Sequence, residues 1–346
     1  MRHPAVRFVL PTLGLALLAA LLAQSIGLPL PWMIGPLFAV AGARMAGLRL
    51  QPLAGGRQAG QWAIGTALGL YFSPAVLGQL AEHALLLATA ALASLALGGV
   101  CALLTLRLAR VDAATAFFAS LPGGASEMAN LAERWGGAVD RIAAAHALRI
   151  MLLVSLVPVG LTLSGAHGSD IYIPQSQRFD PALLPPLVAG SLAGVGLLRL
   201  LRIANAWVLG PLLGVGVLSA LAVPLSALPG WAVNGGQLLI GCSLGSRFSR
   251  EFFRAAPRFI GTTALSALLS ILLGLLLSLL LAHLSGVPLA TLVLATAPGG
   301  VAEMCITAKV LQLGVPLVTA AHVLRVVVLT LGAQFAFGLF RRRFAP

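Results

Sequence analysis

The chain has 346 residues, of which 59% are hydrophobic and 9% charged, with a formal net charge of +13. An average soluble domain carries about 25% charged residues, so this composition excludes an ordinary water-soluble enzyme, a disordered chain and a coiled coil. Apolar runs long enough to cross a bilayer, about 20 residues each, recur from end to end, and no stretch between them approaches the ~50-residue lower size of a domain. The expected fold class is an all-α polytopic membrane protein.

Twelve hydrophobic segments are predicted in chain order, six per half and named a to f. In the first half they run over 8–27, 31–48, 58–78, 84–106, 113–134 and 139–164, and in the second over 183–199, 204–223, 232–246, 258–283, 288–310 and 315–339. The first run follows Arg2 and Arg7 and has the outline of a signal peptide. Pro11 and its run match Pro186 and its run, however, so the segment is expected to stay in the fold. Cys101, Cys242 and Cys305 all lie in apolar runs and imply neither a disulfide framework nor a paired-cysteine metal site.

The two halves are copies. Leu121-Pro122-Gly123-Gly124-Ala125-Ser126-Glu127-Met128 returns 176 residues later as Ala297-Pro298-Gly299-Gly300-Val301-Ala302-Glu303-Met304. At the same offset His146 matches His322, Arg149 matches Arg325, and Gly60-Gln61 matches Gly236-Gln237. Trp32, Gly35 and Pro36 match Trp207, Gly210 and Pro211 one residue out of step. The expected organisation is a first transmembrane repeat over 1–165, an extracytoplasmic linker over 166–181 and a second repeat over 182–346.

Arginine sets the orientation. In the first half it stands at the N-terminus (Arg2, Arg7), between b and c (Arg44, Arg49, Arg57) and between d and e (Arg107, Arg110). In the second half it stands between a and b (Arg199, Arg202), between c and d (Arg247, Arg250, Arg254, Arg258) and at the end (Arg341, Arg342, Arg343), while the linker carries Asp170 and Asp180. Short basic loops stay in the cytoplasm, so the halves point in opposite directions, which requires an odd number of crossings in each. Segment e, interrupted by Pro-Gly-Gly, is the one expected to return to its own side, because Pro and Gly break helices. The reading is two inverted repeats of five spans plus one broken or re-entrant hairpin each, in the inner membrane, with both termini cytoplasmic. Broken helices from inverted repeats build the sites of many secondary transporters.

The duplicated unit with its paired Pro-Gly-Gly-x-x-Glu-Met motifs resembles the membrane AbrB duplication family, whose members carry ammonia-monooxygenase or transcriptional-regulator labels. The resemblance covers nearly the whole chain. It implies a membrane location and the duplication, and it brings no catalytic residues with it. The soluble DNA-binding AbrB fold is a small β-rich module, and no stretch here has that character. An oxygenase would need a redox metal, usually held by imidazole and carboxylate, and the six histidines show no close ligand spacing.

Glu127 and Glu303 are the first candidates for solute or ion binding, since a carboxylate in the apolar zone marks a functional site by default. Each opens a new half-helix, where free N–H groups favour an anion; the plainer reading is a cap, with Glu at the third helical position bonding backwards. His146 with Arg149, and His322 with Arg325, share one face of segment f. The plainer reading of each Arg is neutralisation of the Glu of its own half. Gly123, Gly124, Gly299 and Gly300 are expected to form the hairpin turns and line a cavity. Ser126 and Asn130, matched by Ala302 and Ile306, are where the halves would treat a solute differently. Gln61 and Gln237 rank second.

The leading expectation is therefore a non-enzymatic secondary transporter that moves a small solute by alternating access, coupled to H⁺ or Na⁺. The alternatives are a membrane regulator or sensor that affects gene expression and a metal-dependent monooxygenase. The bilayer and the solute are the partners, a homodimer stays open, and no nucleic acid, metal or cofactor is expected. Cysteine reporters at positions 51 and 228 test the orientation: 51 should label only from the cytoplasmic side and 228 only from outside. Labelling from one common side would make the two b–c loops parallel and end the inverted reading.

Overall fold

Prolines and glycines punctuate the chain much as the sequence predicts. The computed structural model describes residues 4–166, 168, 172, 174–203, 205–249 and 256–344. Arg2, Asp170, Arg250 and Arg254, used above for orientation, lie outside the described residues. Every regular element among the described residues is helical. In the first half these are α1 (Pro4–Ser25), α2 (Pro31–Met45), α3 (Gly56–Gly69), α4 (Pro74–Glu82), α5 (Ala84–Ala109), α6 (Ala113–Ser120), α7 (Ala125–Glu133) and α8 (Val139–Leu163). A short 3₁₀ turn, Pro181–Leu183, opens the second half. It is followed by α9 (Leu184–Leu200), α10 (Ala206–Ala220), α11 (Gly230–Gly245), α12 (Pro257–Ser285), α13 (Leu289–Thr296), α14 (Val301–Leu311) and α15 (Val315–Phe344).

Among the described residues six helices are long and apolar enough to cross a membrane: Arg7–Ser25, Ala84–Ala109, Val139–Leu163, Pro181–Leu200, Pro257–Ser285 and Val315–Phe344. These are segments a, d and f of each half, and they make the chain a multi-pass membrane protein. Segments b and c form helices of 14 to 16 residues. At 1.5 Å per residue that is about 22 Å, short of a ~30 Å hydrocarbon core. The first c segment, predicted as one run over 58–78, is broken: α3 stops at Gly69, Pro74 starts α4, and the two axes meet at 88°. Proline disfavours a helical residue before it, so Pro74 cannot simply continue α3.

The helices gather into two compact units, one holding residues 1–79 and 169–253, the other 80–168 and 254–346. Segments a, b and c of both halves make the first unit, and d, e and f of both make the second. In the first unit the copies pack reciprocally. A Cβ at Gly60 would overlap the Gly236 carbonyl, and one at Gly236 would press on Gly60. Gly65 lies against the Val208 carbonyl, and its repeat partner Gly241 against the carbonyl of Met33, the residue that matches Val208. Small residues let backbones approach this closely in membranes.

In the second unit α5 and α12, the two d segments, run antiparallel. Arg258 donates to the Leu108 carbonyl at 2.7 Å, and Cys101 faces the Ser266 carbonyl further along, so one partner's number falls as the other's rises. Each broken e segment closes on itself. The Ala138 N–H, after α7, donates to Thr115 Oγ1 at the start of α6, 2.7 Å away, where Asp112 caps the helix. Gly314, after α14, abuts Thr291 at the start of α13. Thr115 and Thr291 are 176 apart, so both copies close at the same register.

Close backbone approach predicts a selective cost. Gly65→Val and Gly241→Val should each destabilise the chain by ~1–3 kcal/mol through overpacking. Gly42→Ala and Gly261→Ala, where a Cβ meets open space, should leave the melting temperature unchanged or higher. Equal losses at all four positions in detergent melting curves would mean that close packing does not fix these glycines.

Candidate functional site at the two broken helices

All of the duplicated Glu, His and Arg candidates fall in the second unit. Pro122 and Pro298 set the geometry. The residues before them leave the helix, Leu121 at φ −67°, ψ 137° and Ala297 at φ −53°, ψ 130°, as the residue before a proline must. Proline also offers no N–H to the turn behind it. The last carbonyls of α6 and α13 are therefore left without helical donors, inside the protein and away from water.

Arg149 serves the carbonyls at the end of α6, whereas Arg325 serves two carbonyls of the turn beyond α13, one of which, Ala297, also accepts from the Gly299 N–H at 2.8 Å. Arg149, 5% exposed on α8, donates from Nη1 to the carbonyls of Ala119 (3.3 Å), Ser120 (3.3 Å) and Leu121 (2.8 Å). Arg325, 3% exposed on α15, donates from Nη1 to Ala297 and from Nη2 to Gly299, both at 2.5 Å. No carboxylate is among these partners, so neutralisation of the glutamate in the same half does not describe either arginine. A cation at a helix C-terminus also meets the negative end of its dipole. The two guanidinium groups are close enough for their like charges to act on each other.

The histidines differ between the copies. Arg149 Nη2 lies 3.0 Å from His146 Nδ1. Arginine only donates, so this nitrogen accepts and the His146 imidazole is neutral with its proton on Nε2. His322 Nε2 meets the Leu294 carbonyl at 2.9 Å; a carbonyl only accepts, so Nε2 carries the proton, while His322 Nδ1 has no partner among the described residues. Both rings are fully buried.

The glutamates differ as well. Gly124 and Gly300 are the N-caps of α7 and α14, with φ −68° and −75°. Those are extended values open to any residue, so the backbone angles at these two caps do not themselves demand glycine. At Gly300 the space beside the cap is taken: Glu303 folds back over it, and a methyl group there would overlap its carboxylate, the mobile end of the side chain, which would have to move. Glu303 is buried, whereas Glu127 is half-buried and reaches the Thr330 hydroxyl of α15. Ser126 and Asn130 are exposed beside Glu127, while the matching Ala302 and Ile306 are buried.

At the first glycine of each motif, Gly123 lies under Met128 and Gly299 under Met304, where a Cβ would crowd the thioether. That packing explains why the motif ends in Met, a role the sequence reading did not give it, although the duplication displayed it. Thr115, Thr291 and Thr330 were also missed. The second-rank pair Gln61 and Gln237 belongs to the first unit.

The carboxylate over Gly300 predicts non-additivity. Gly300→Ala alone should cost ~1–3 kcal/mol by overpacking. In a Glu303→Ala background most of that loss should vanish, a coupling of about 1 kcal/mol or more. Additive melting shifts would mean that Glu303 does not occupy the space over the cap.

The chain is similar to known proteins over most of its length. Residues 32–341 match the profile of a family described as "Transition state regulatory protein AbrB". The chain is 26% identical over 325 residues to "Uncharacterized protein YhjN" of Bacillus subtilis (strain 168), covering 87% of this chain and 85% of the relative. It is 26% identical over 339 residues to "Putative regulator AbrB" of Escherichia coli (strain K12), covering 96% of each. No solved structure matches the chain.

Proposed function

The chain belongs to the AbrB family, whose profile matches residues 32–341, and we propose that it serves as a secondary transporter of a small solute. The observation that carries this reading is the pair of duplicated broken helices in one unit, each with a glutamate in the first turn after the break. Re-entrant or broken segments at membrane depth are tolerated where they are buried in protein or line a cavity, and in transporters they build the site. The antiparallel d helices and the reciprocal glycine contacts support two inverted repeats. The closed e segments support hairpins that enter and leave one face. On this reading the short b and c helices complete five spans per half, in the inner membrane with both termini cytoplasmic.

Glu127 is the residue for exchange with solute, H⁺ or Na⁺, being half-buried beside the exposed Ser126 and Asn130. Arg149 and Arg325 hold the breaks open, with His146 bonded to Arg149 and His322 to the Leu294 carbonyl. A second reading, a membrane regulator acting on gene expression, draws on the name of the Escherichia coli relative alone. Capture of one defined cytoplasmic partner, with no solute uptake, would favour it.

A thermal-shift screen of small charged and zwitterionic solutes at several pH and Na⁺ values, followed by uptake of the hits into proteoliposomes, tests the transport reading. Glu127→Gln keeps size and hydrogen bonding but cannot ionise, so it should flatten the pH or Na⁺ dependence of uptake. Glu303→Gln should lower the melting temperature more than it alters that dependence. Unchanged profiles in both variants would remove the glutamates from coupling, and the absence of uptake for every stabilising solute would overturn transport.

A further inference from the structure

The two breaks are packed differently. At the first, Phe117 of α6 lies against Phe337 and Phe340 of α15, with ring centres 5.4 and 5.1 Å away. All three rings are buried in one apolar core with Leu121, Leu329 and Ala333. At the 176-residue offset the rings are matched by Val293, Leu161 and Ser164, and the other three by Ala297, Leu153 and Val157. In the second copy all six matched residues line a cavity of about 590 Å³ bounded by α8, α12 and α13, within the second unit. Aromatic side chains thus fill at one break a space that the other break leaves open. We propose that this cavity holds one hydrocarbon chain of a membrane lipid, drawn from the leaflet at the linker end of α8.

The walls select an apolar guest. They carry no charged group, and their one hydroxyl, on Ser164, donates to the Leu161 carbonyl. Water finds no partners in such a space, whereas an apolar guest is taken up. Interiors are close-packed, so a guest here restores contacts that an empty cavity forfeits. The deep wall, with Leu153, Val157, Gly274 and Pro298, is buried, and the rim, with Leu156, Leu275 and Leu289, is exposed. The rim residues match Gly332, Gly99 and Ala113, so the second copy is the bulkier one there and is open all the same. Leu156 and Leu275 belong to two of the six membrane-length helices. What enters across their aliphatic surface comes from the bilayer.

Length narrows the guest to one lipid chain. On α8 the lining runs from Leu153 to Ser164, which directly follows the last helical residue, Leu163. At 1.5 Å per residue that stretch is about 17 Å long, about half of a ~30 Å hydrocarbon core. The cavity therefore starts at the end of a membrane-length helix and reaches one leaflet inward, where Pro298 meets it. A segment of protein would bring N–H and C=O groups that these walls cannot satisfy.

The test uses the full chain in phosphatidylcholine vesicles doped with a phosphatidylcholine that carries a diazirine at the methyl end of one chain. Illumination and tandem mass spectrometry read the labelled residues. Label should appear on the deep wall, at Leu153, Val157 or Pro298, as well as on the exposed Leu272 and Leu276 of α12. The matched Leu329, Ala333 and Pro122 should stay unlabelled. Val293→Phe with Ser164→Phe rebuilds two of the three rings. It should cut deep-wall labelling about tenfold, leave labelling of α12 unchanged and raise the melting temperature in delipidating detergent by several degrees. Should that variant not fold, the contrast between the deep wall and its matched residues in the unaltered chain decides the matter. Label confined to the exposed face of α12, or a deep wall labelled equally in the variant, would overturn the proposal. A dimer that the variant turns into monomers, with an unlabelled deep wall, would assign the cavity to a second copy and overturn it too. None of these readouts depends on whether the protein transports a solute.

Discussion

A helix interrupted inside an apolar zone leaves carbonyl groups that no water can reach. Each unsatisfied backbone group there costs several kcal/mol, and Pro122 and Pro298 create such groups in both copies. Arg149 and Arg325 answer them from the neighbouring f helices, through three carbonyls in one copy and two in the other. The cationic head also meets the negative dipole end of the half-helix it caps. Breaking the helix and burying an arginine are thus one structural event. Either change alone would leave orphaned carbonyls or an orphaned cation.

That pairing frees the glutamates. Had Arg149 and Arg325 been ion-paired with Glu127 and Glu303, the carboxylates would be fixed as counter-charges, and the breaks would need other donors. Instead Glu303 lies over its own cap and Glu127 reaches a hydroxyl on another helix. The glycines fit this account for reasons of space. Gly300 makes room for a carboxylate, and Gly123 and Gly299 make room for Met128 and Met304. None of these uses the left-handed backbone that usually justifies glycine.

Hydropathy and Pro/Gly punctuation are local signals, so the segment boundaries and both e-segment breaks were legible in the sequence. The duplication was legible because it is written in residue identity. Three features were not. The division into units draws matching segments from both halves, and which segments pack together is a property of surfaces rather than of runs. The break after Gly69 was hidden because its flanks are as apolar as a continuous span. The arginines' partners were hidden because they are backbone carbonyls, which every residue carries, and the eye goes to the nearest acid instead. Thr115 and Thr291 were within reach, matched at the repeat offset, but a lone threonine at a helix start attracts no chemistry until its partner is seen.

The two copies also show how a duplicated site divides its labour. In the second, α14 is buried almost throughout, with Ala302 and Ile306 where the first has Ser126 and Asn130, and its glutamate is turned inward. In the first, α7 exposes both polar residues one turn apart, with Glu127 beside them. The shared elements are those that solve the shared problem of the break: Pro, Gly-Gly, Met and the arginine. Among the elements that differ are the polar side chains just after the break, Ser126 and Asn130 in one copy and Ala302 and Ile306 in the other. On the transport reading proposed above, the exposed polar residues after the first break belong to the solute-facing copy, and the buried residues after the second to the supporting one.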